Sequence, residues 1–273
     1  MKKFRLYILF IFTTLLSGCG VFQNMGPVNL FTVEDDKQFG LSTAKQIENS
    51  KEEYPVLDRV KYAQAYARME TIMQSIAQSG AIPNADRFEW KLNLIDKPVL
   101  NAFAVPGGHL YFYTGLIKYL DDESQLAGVM AHEMAHVGLR HSTAQMTKQY
   151  GVTALLSWVM GYNPTQTAQL AGQIVAALTT TAFSRTDEYQ ADAYAVRSLA
   201  GTDYDPRGVA GFFVKLEAEG AASSGVPTFL STHPSPADRV EKIYATWEAT
   251  GSKSGSGDGK FVPRYQELKK MLP

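Results

Sequence analysis

One cysteine, Cys19, stands in the 273 residues, so no disulfide can form within the chain. Histidine is scarce as well: there are five, at 109, 132, 136, 141 and 233. Long apolar runs are missing. The first, Leu6 to Leu16, is roughly 11 residues against the about 20 that a membrane-spanning helix needs. Two apolar stretches between 151 and 183, split by Gly161 to Pro164, are each shorter than a span and read as a helical hairpin. The competing reading there is a lid or membrane-dipping segment with Trp158 and Met160 at its tip. No basic stripe suits a phosphate backbone, which argues against a nucleic-acid partner. Internal repeats are absent too.

What is present begins with a leader. Lys2, Lys3 and Arg5 precede the short apolar run, then come small residues and Cys19, the pattern of a secretory signal. Leu16-Ser17-Gly18-Cys19 resembles the lipobox of bacterial lipoproteins, whose cysteine is acylated and becomes the mature N-terminus. That reading accounts for a secreted chain with one cysteine, and acyl chains at about 0.8 kcal/mol per buried CH₂ anchor it stably. Gly20 rather than Asp after the cysteine points to the outer membrane of a diderm envelope, facing the periplasm. Removal of the leader takes away three cations, making the formal net charge of −1 more negative. The expected divisions are a signal at 1–18, a lipidated tether at 19–33, one domain at 34–250, and a flexible Gly/Ser linker with a tail at 251–273.

Periodicity then organises the domain. From Glu34 to Ser79 run two amphipathic stretches broken at Tyr54-Pro55, the second from Leu57 to a stop at Gly80. Between 88 and 114 the period falls to two, which predicts a small antiparallel sheet turning at Pro106-Gly107-Gly108. After Gly115 the chain reads as mostly helical. Asp121 or Asp122 caps a helix from about Glu123 through Ser142, and Ser184-x-x-Asp187 is a capping box for one reaching Ala200. Asp205-Pro206 and Ser235-Pro236-x-Asp238 start two more, ending near Gly220 and Ala249. The fold class is therefore α+β, predominantly helical.

Three of the five histidines fall in "VMAHEMAHVGLRH", residues 129 to 141. Residues four apart on a helix differ by about 40°, so His132 and His136 aim at one spot, within reach of an ion at about 2 Å. Glu133 lies beside that face, where it polarises a water rather than binding the metal. Val129, Met130, Ala131, Met134, Ala135 and Val137 make this helix apolar on nearly every side. Two imidazoles and a carboxylate buried together need partners, and zinc is the economical one. A hydrolytic zinc site takes three protein ligands, and Glu188 supplies the third, with Asp192 one turn later orienting His132 or His136. His141, on a continuous helix, points about 180° away from the metal and reads as structural. His109 reads as structural or substrate-lining, and Arg185 and Arg239 as partners for buried carboxylates. His233 is read two ways: it stabilises the oxyanion from the far side of the zinc, or it occupies the open coordination position in a latent state.

"NAFAVPGGHLYFYTGL", "AHEMAHVGLRH", "SRTDEYQAD" and "THPSPADR" together resemble four successive signatures of the gluzincin family of zinc metallopeptidases. That family includes the CAAX prenyl proteases, HtpX, the mitochondrial inner-membrane overlapping-activity protease and the periplasmic BepA and LoiP. The resemblance covers roughly residues 35 to 250 and implies a zincin-like domain holding one Zn²⁺ per chain. His132, His136 and Glu188 are then the ligands and Glu133 the general base, in agreement with the spacing. It further implies that the strand through Asn101, Ala102, Phe103 and Ala104 binds an extended peptide by strand addition. Spanning helices and a following helical-repeat domain, found in some members, are not evident here.

The expectation is a zinc endopeptidase acting on misfolded or unassembled envelope polypeptides, held at the outer membrane through Cys19, with the outer-membrane assembly machinery as a possible partner. The alternative is a lipoprotein chaperone or assembly factor whose protease site is blocked. A purely structural zinc fits poorly, because such sites are closed by four Cys/His ligands.

Overall fold

The structure is a computed structural model, and it describes residues 29–149, 176, 180–219, 228–234, 237–255 and 261–273. The leader, Cys19, most of the 151–183 hairpin and the Ser235-Pro236 pair lie outside the described residues.

Helix α1 (Val33–Asn49) begins with a capping box, in which the Thr32 hydroxyl accepts from Asp35 N and the Asp35 carboxylate accepts from Thr32 N. Helix α2 (Ala63–Gln78) starts later than the apolar pattern from Leu57 predicts. Asp58 is the reason: its carboxylate accepts from Val60 N and Lys61 N at 2.9 and 2.8 Å, holding these residues in a local turn that competes with helix. Gly80 ends α2 with a positive φ of 74°, as its position predicts.

The sheet contains β1 (Lys91–Ile95), β2 (Ala102–Val105) and β3 (His109–Tyr113) in the order β1-β3-β2. Strands β2 and β3 form the expected antiparallel hairpin, but β1 runs parallel to β3, so the sheet is mixed rather than antiparallel. The cause is connectivity. Residues 96–101 carry the chain across the end of β3, so β1 and β2 lie on opposite edges and β3 is central. Both faces of β3 are covered. Leu110 and Phe112 face the main core, while Tyr111 and Tyr113 join Phe103, Ile47 and Tyr54 on the other side.

Helix α3 (Thr114–Tyr119) leads into α4 (Glu123–Gly138), capped by Asp122, whose side chain accepts from Gln125 N at 2.9 Å. Helix α4 is buried from Glu123 to Gly138 apart from Gln125, as its all-round apolar pattern predicts. It packs against α5 (Arg185–Ala200) and α6 (Gly208–Ala218). The crossing with α6 requires glycine: a Cβ on Gly128 would sit 2.4 Å from Gly208 O, and one on Gly208 would sit 2.1 Å from Ser124 O.

Helix α4 stops at Gly138 instead of continuing through Ser142. Leu139 caps it, Arg140 adopts a left-handed φ of 62°, and a separate helical run occupies 141–149. The Arg140 guanidinium holds this break by binding the Asp36 carboxylate and the Phe31 carbonyl, while Asn29 Nδ2 donates to Thr143 Oγ1 at 2.9 Å. The chain closes with α7 (Thr228–Thr232), α8 (Arg239–Ala249) and α9 (Phe261–Lys270). The tail after 250 is thus partly helical, with Tyr265 and Leu268 fully buried and Tyr265 Oη donating to Ile117 O at 2.6 Å. Among the described residues no helix is long and apolar enough to cross a membrane.

Candidate metal centre

Four elements converge on one point. Helix α4 brings His132, Glu133 and His136, α5 brings Glu188 and Asp192, His233 follows α7, and Arg239 opens α8. Each of these side chains is buried, and His132, His136, Glu188 and His233 offer donor atoms within 4.8 Å of one another.

The separations fit an ion at the centre. His132 Nε2 lies 3.0 Å from His136 Nε2, 3.6 Å from Glu188 Oε2 and 3.2 Å from His233 Nδ1. Glu188 Oε1 is 3.3 Å from His136 Nε2 and 3.2 Å from His233 Nδ1. Donors arranged tetrahedrally about a zinc at about 2.0–2.1 Å stand about 3.3 Å apart. Three imidazole nitrogens and a carboxylate are also the donor types zinc prefers.

Burial pushes the His136 pKa well below its ordinary value, and His132 adds to this, so the ring is neutral with a lone pair to offer. Burial pushes Glu188 upward, but His233 and His136 outweigh it and hold the carboxyl well below the ordinary range. Asp192 is likewise held low, with Arg239 and His132 overcoming its burial. Glu133 differs. Burial pushes it up to about 8 against the pull of His132. Its Oε1 has no hydrogen-bond partner among the described residues, and His233 Nε2 stands 3.4 Å away.

Strand β2 borders this centre. Tyr113 N donates to Asn101 O, so the register of the hairpin turns the Ala102 and Ala104 N–H toward the outer edge, where the Ala104 N–H lies near enough to Glu133 to favour its ionised form against the burial. Of the four residues expected to line this strand, Ala104 is the one that lies beside Glu133. Phe103 points to the opposite face, stacked on Tyr111 with centroids 4.8 Å apart, and Asn101 is buried, its Oδ1 without a hydrogen-bond partner among the described residues.

Each histidine on α4 has a partner on its outer nitrogen. His132 Nδ1 lies 2.8 Å from Asp192 Oδ1, as the i, i+4 spacing of Glu188 and Asp192 predicts. His136 Nδ1 lies 3.0 Å from His141 Nδ1, and His141 Nε2 lies 3.1 Å from Gln190 Oε1. His141 stays outside the four-donor group, as read, but it is not turned away from it: the break at Arg140 swings the ring back against the outer nitrogen of His136. His109 takes no part in the cluster; it sits on β3 beside Lys91, which pairs with it in the sheet register.

Residues 63–246 match the model of Peptidase family M48. The chain belongs to this family. M48 peptidases depend on zinc, and the buried His132, His136, Glu188 and His233 group is where this chain can hold it. Similar proteins include the beta-barrel assembly-enhancing protease of Escherichia coli strain K12, 36% identical over 157 residues that make up 54% of this chain and 32% of the relative. Metalloendopeptidase OMA1, mitochondrial, of Bos taurus is 30% identical over 173 residues, 59% of this chain and 33% of the relative. The mitochondrial metalloendopeptidase OMA1 of Schizosaccharomyces pombe is 28% identical over 167 residues, 60% and 48% respectively. The chain spans about a third to a half of the length of these relatives.

Several features of this M48 site carry no motif of their own. Phe183 stacks on His136 with centroids 4.1 Å apart, and Phe229 stacks on His233 at 4.5 Å, so two rings close the centre. Phe229 N also donates to Leu100 O at 3.1 Å, which seats α7 beside the start of β2. Arg239 is the buried arginine that pairs with both carboxylates, with Nη1 2.6 Å from Glu188 Oε2, whereas Arg185 is exposed. The pairing was legible in the sequence only as one possibility for either arginine.

Proposed function

We propose that this chain is a zinc endopeptidase that hydrolyses extended segments of envelope polypeptides, with His132, His136 and Glu188 as ligands and Glu133 as the base. The observation carrying it is the placement of Glu133: buried beside a four-donor cluster, 3.4 Å from His233 Nε2, and next to Ala104 on the outer edge of β2. Zinc when bound supplies a Lewis acid that makes water acidic near neutral pH and polarises a carbonyl. Glu133 takes the proton of the attacking water and hands it to the leaving amine. Asp192 accepts from His132 Nδ1, keeping its Nε2 free toward the cluster, and Arg239 keeps Asp192 ionised. Strand β2 reads the backbone of an added substrate strand, which tolerates varied side chains.

The setting is part of the proposal. Cys19 carries a lipid that holds the chain at the outer membrane facing the periplasm, and unassembled or misfolded outer-membrane proteins are the substrates. The name of the Escherichia coli relative, a beta-barrel assembly-enhancing protease, supports that substrate class and a working contact with the assembly machinery.

A second reading concerns the resting state. His233 is 1% exposed, and its Nδ1 stands at 3.2 Å from both His132 Nε2 and Glu188 Oε1, where a substrate carbonyl or water would otherwise come. This favours His233 as a fourth ligand of a latent enzyme over an oxyanion helper, and leaves an assembly factor with a blocked site as the competing class.

The test is Glu133→Gln with zinc measured by elemental analysis and cleavage of an unfolded protein followed in parallel. One zinc per chain is expected in both forms, with cleavage lower by about three orders of magnitude or more in the variant. A wild type carrying one zinc that cleaves nothing, even with His233 replaced by alanine, removes the peptidase reading.

A further inference from the structure

The two α4 histidines face the cluster through Nε2, and their outer nitrogens meet different chemistry. His132 has a carboxylate. His136 has another imidazole, with the two Nδ1 atoms 3.0 Å apart. Of two facing imidazole nitrogens at that distance, one carries the hydrogen and the other a lone pair. Two N–H groups would repel, and two lone pairs would leave both rings unbonded in a buried site.

We propose that His141 is a positioning residue whose Nδ1 lone pair accepts the Nδ1–H of His136, with Gln190 locking His141 in the required tautomer. The proposal rests on His136 being a zinc ligand. Neutral His136 has a single N–H, and a lone pair at the metal-facing Nε2 puts it on Nδ1. The acceptor 3.0 Å away is His141 Nδ1, so His141 carries its own hydrogen on Nε2. There Gln190 Oε1, at 3.1 Å, accepts it. One arrangement satisfies the whole chain from Gln190 through His141 to the Nε2 of His136. Asp187 Oδ1 stands 3.8 Å from His141 Nε2, an electrostatic bias in the same sense.

The ring of His141 is aimed by the backbone. A continuous helix would carry it away from His136, and the left-handed Arg140 returns it. Phe183 packs against both rings, stacked on His136 at 4.1 Å and tilted against His141 at 6.3 Å. The third histidine of "AHEMAHVGLRH" thus does for His136 what Asp192 does for His132, using a neutral acceptor in place of an anion.

Nitrogen-15 NMR of the zinc-loaded full chain, labelled at histidine, reads the tautomers directly. The expected result is His136 protonated on Nδ1 and His141 protonated on Nε2; His141 protonated on Nδ1 overturns the proposal. Chelator competition gives a second readout. His141→Phe keeps a ring and removes the acceptor, and is expected to weaken zinc binding about 10–100-fold. His141→Gln restores an acceptor and is expected to recover to within about threefold of wild type. Glutamine binding as poorly as phenylalanine, with equal melting temperatures of the metal-free forms, overturns the acceptor role. Gln190→Leu, at an exposed residue, keeps the test open if His141→Phe does not fold: removing the Nε2 acceptor is expected to weaken zinc binding, and unchanged binding with an unchanged His141 tautomer overturns the locking role of Gln190. Should zinc bind His136→Ala as tightly as wild type, the ligand assignment itself fails, a result distinct from the wrong tautomer at an intact site.

Discussion

Arg239 grips Asp192 through two parallel contacts, Nε to Oδ2 at 2.7 Å and Nη2 to Oδ1 at 2.9 Å, with both side chains buried. The fork also reaches Glu188, so one guanidinium contacts both buried carboxylates. Arg239→Ala strips both of their cation inside the protein. The expected cost is about 3–5 kcal/mol of stability in the zinc-free chain, with Arg239→Lys falling between the variant and wild type. Urea unfolding measures it, and a loss below about 1 kcal/mol would mean the pair is not held as described.

His233 occupies the approach to Glu133. If it is the lock of a resting enzyme, His233→Ala keeps zinc on the remaining ligands and raises cleavage of an unfolded protein roughly 10-fold, since the competent fraction of molecules grows. If His233 instead helps the oxyanion, the same variant loses activity by about 10²-fold. The direction of the change separates the two roles.

His109 provides a pH signature away from the zinc site. Burial, with Lys91 adding to it, lowers its pKa from 6.5 to about 4. Between those values the unfolded chain takes up a proton that the folded chain refuses, so this contribution is complete above pH 6.5 and is lost as the pH falls through about 4. From pH 7 to pH 5 wild type should lose about 2 kcal/mol more than His109→Gln. Denaturant titrations of both proteins at the two pH values give the difference directly; equal losses would place no titrating imidazole on β3.

The C-terminal helix α9 is predicted to belong to the folded unit. Leu268 is fully buried and Arg264 reaches the buried Glu123 at 2.7 Å. Leu268→Ala should cost about 2–5 kcal/mol in a single cooperative transition. A loose tail would show no change in the unfolding midpoint.

The parts of the site that were legible in the sequence share a cause: they depend on spacing within one helix. His132 and His136 four apart, Glu188 and Asp192 four apart, and the Ser184–Asp187 capping box are local geometry, and each is found as the spacing predicts. The direction of β1 is not local. It follows from which edge of β3 is free after the hairpin forms, and alternation of side chains is the same in parallel and antiparallel strands. The late start of α2 turns on one Asp58 carboxylate outcompeting helix for two N–H groups. The linker composition at 251–260 obscured the apolar positions of α9, whose partner Ile117 lies far back in the chain. The contact of His141 with His136 was hidden for a subtler reason. A helical wheel assumes one helix, and no glycine or proline marks residues 139–140, where an arginine takes the left-handed conformation because Asp36 and Phe31 hold its side chain.

That arginine has a mechanical meaning. Its side chain is tied to the strand of backbone entering the fold, and its main chain sits one residue before the imidazole that backs His136. The backbone at residues 29–36 is therefore coupled, through one side chain, to the joint between the ligand helix and the 141–149 run.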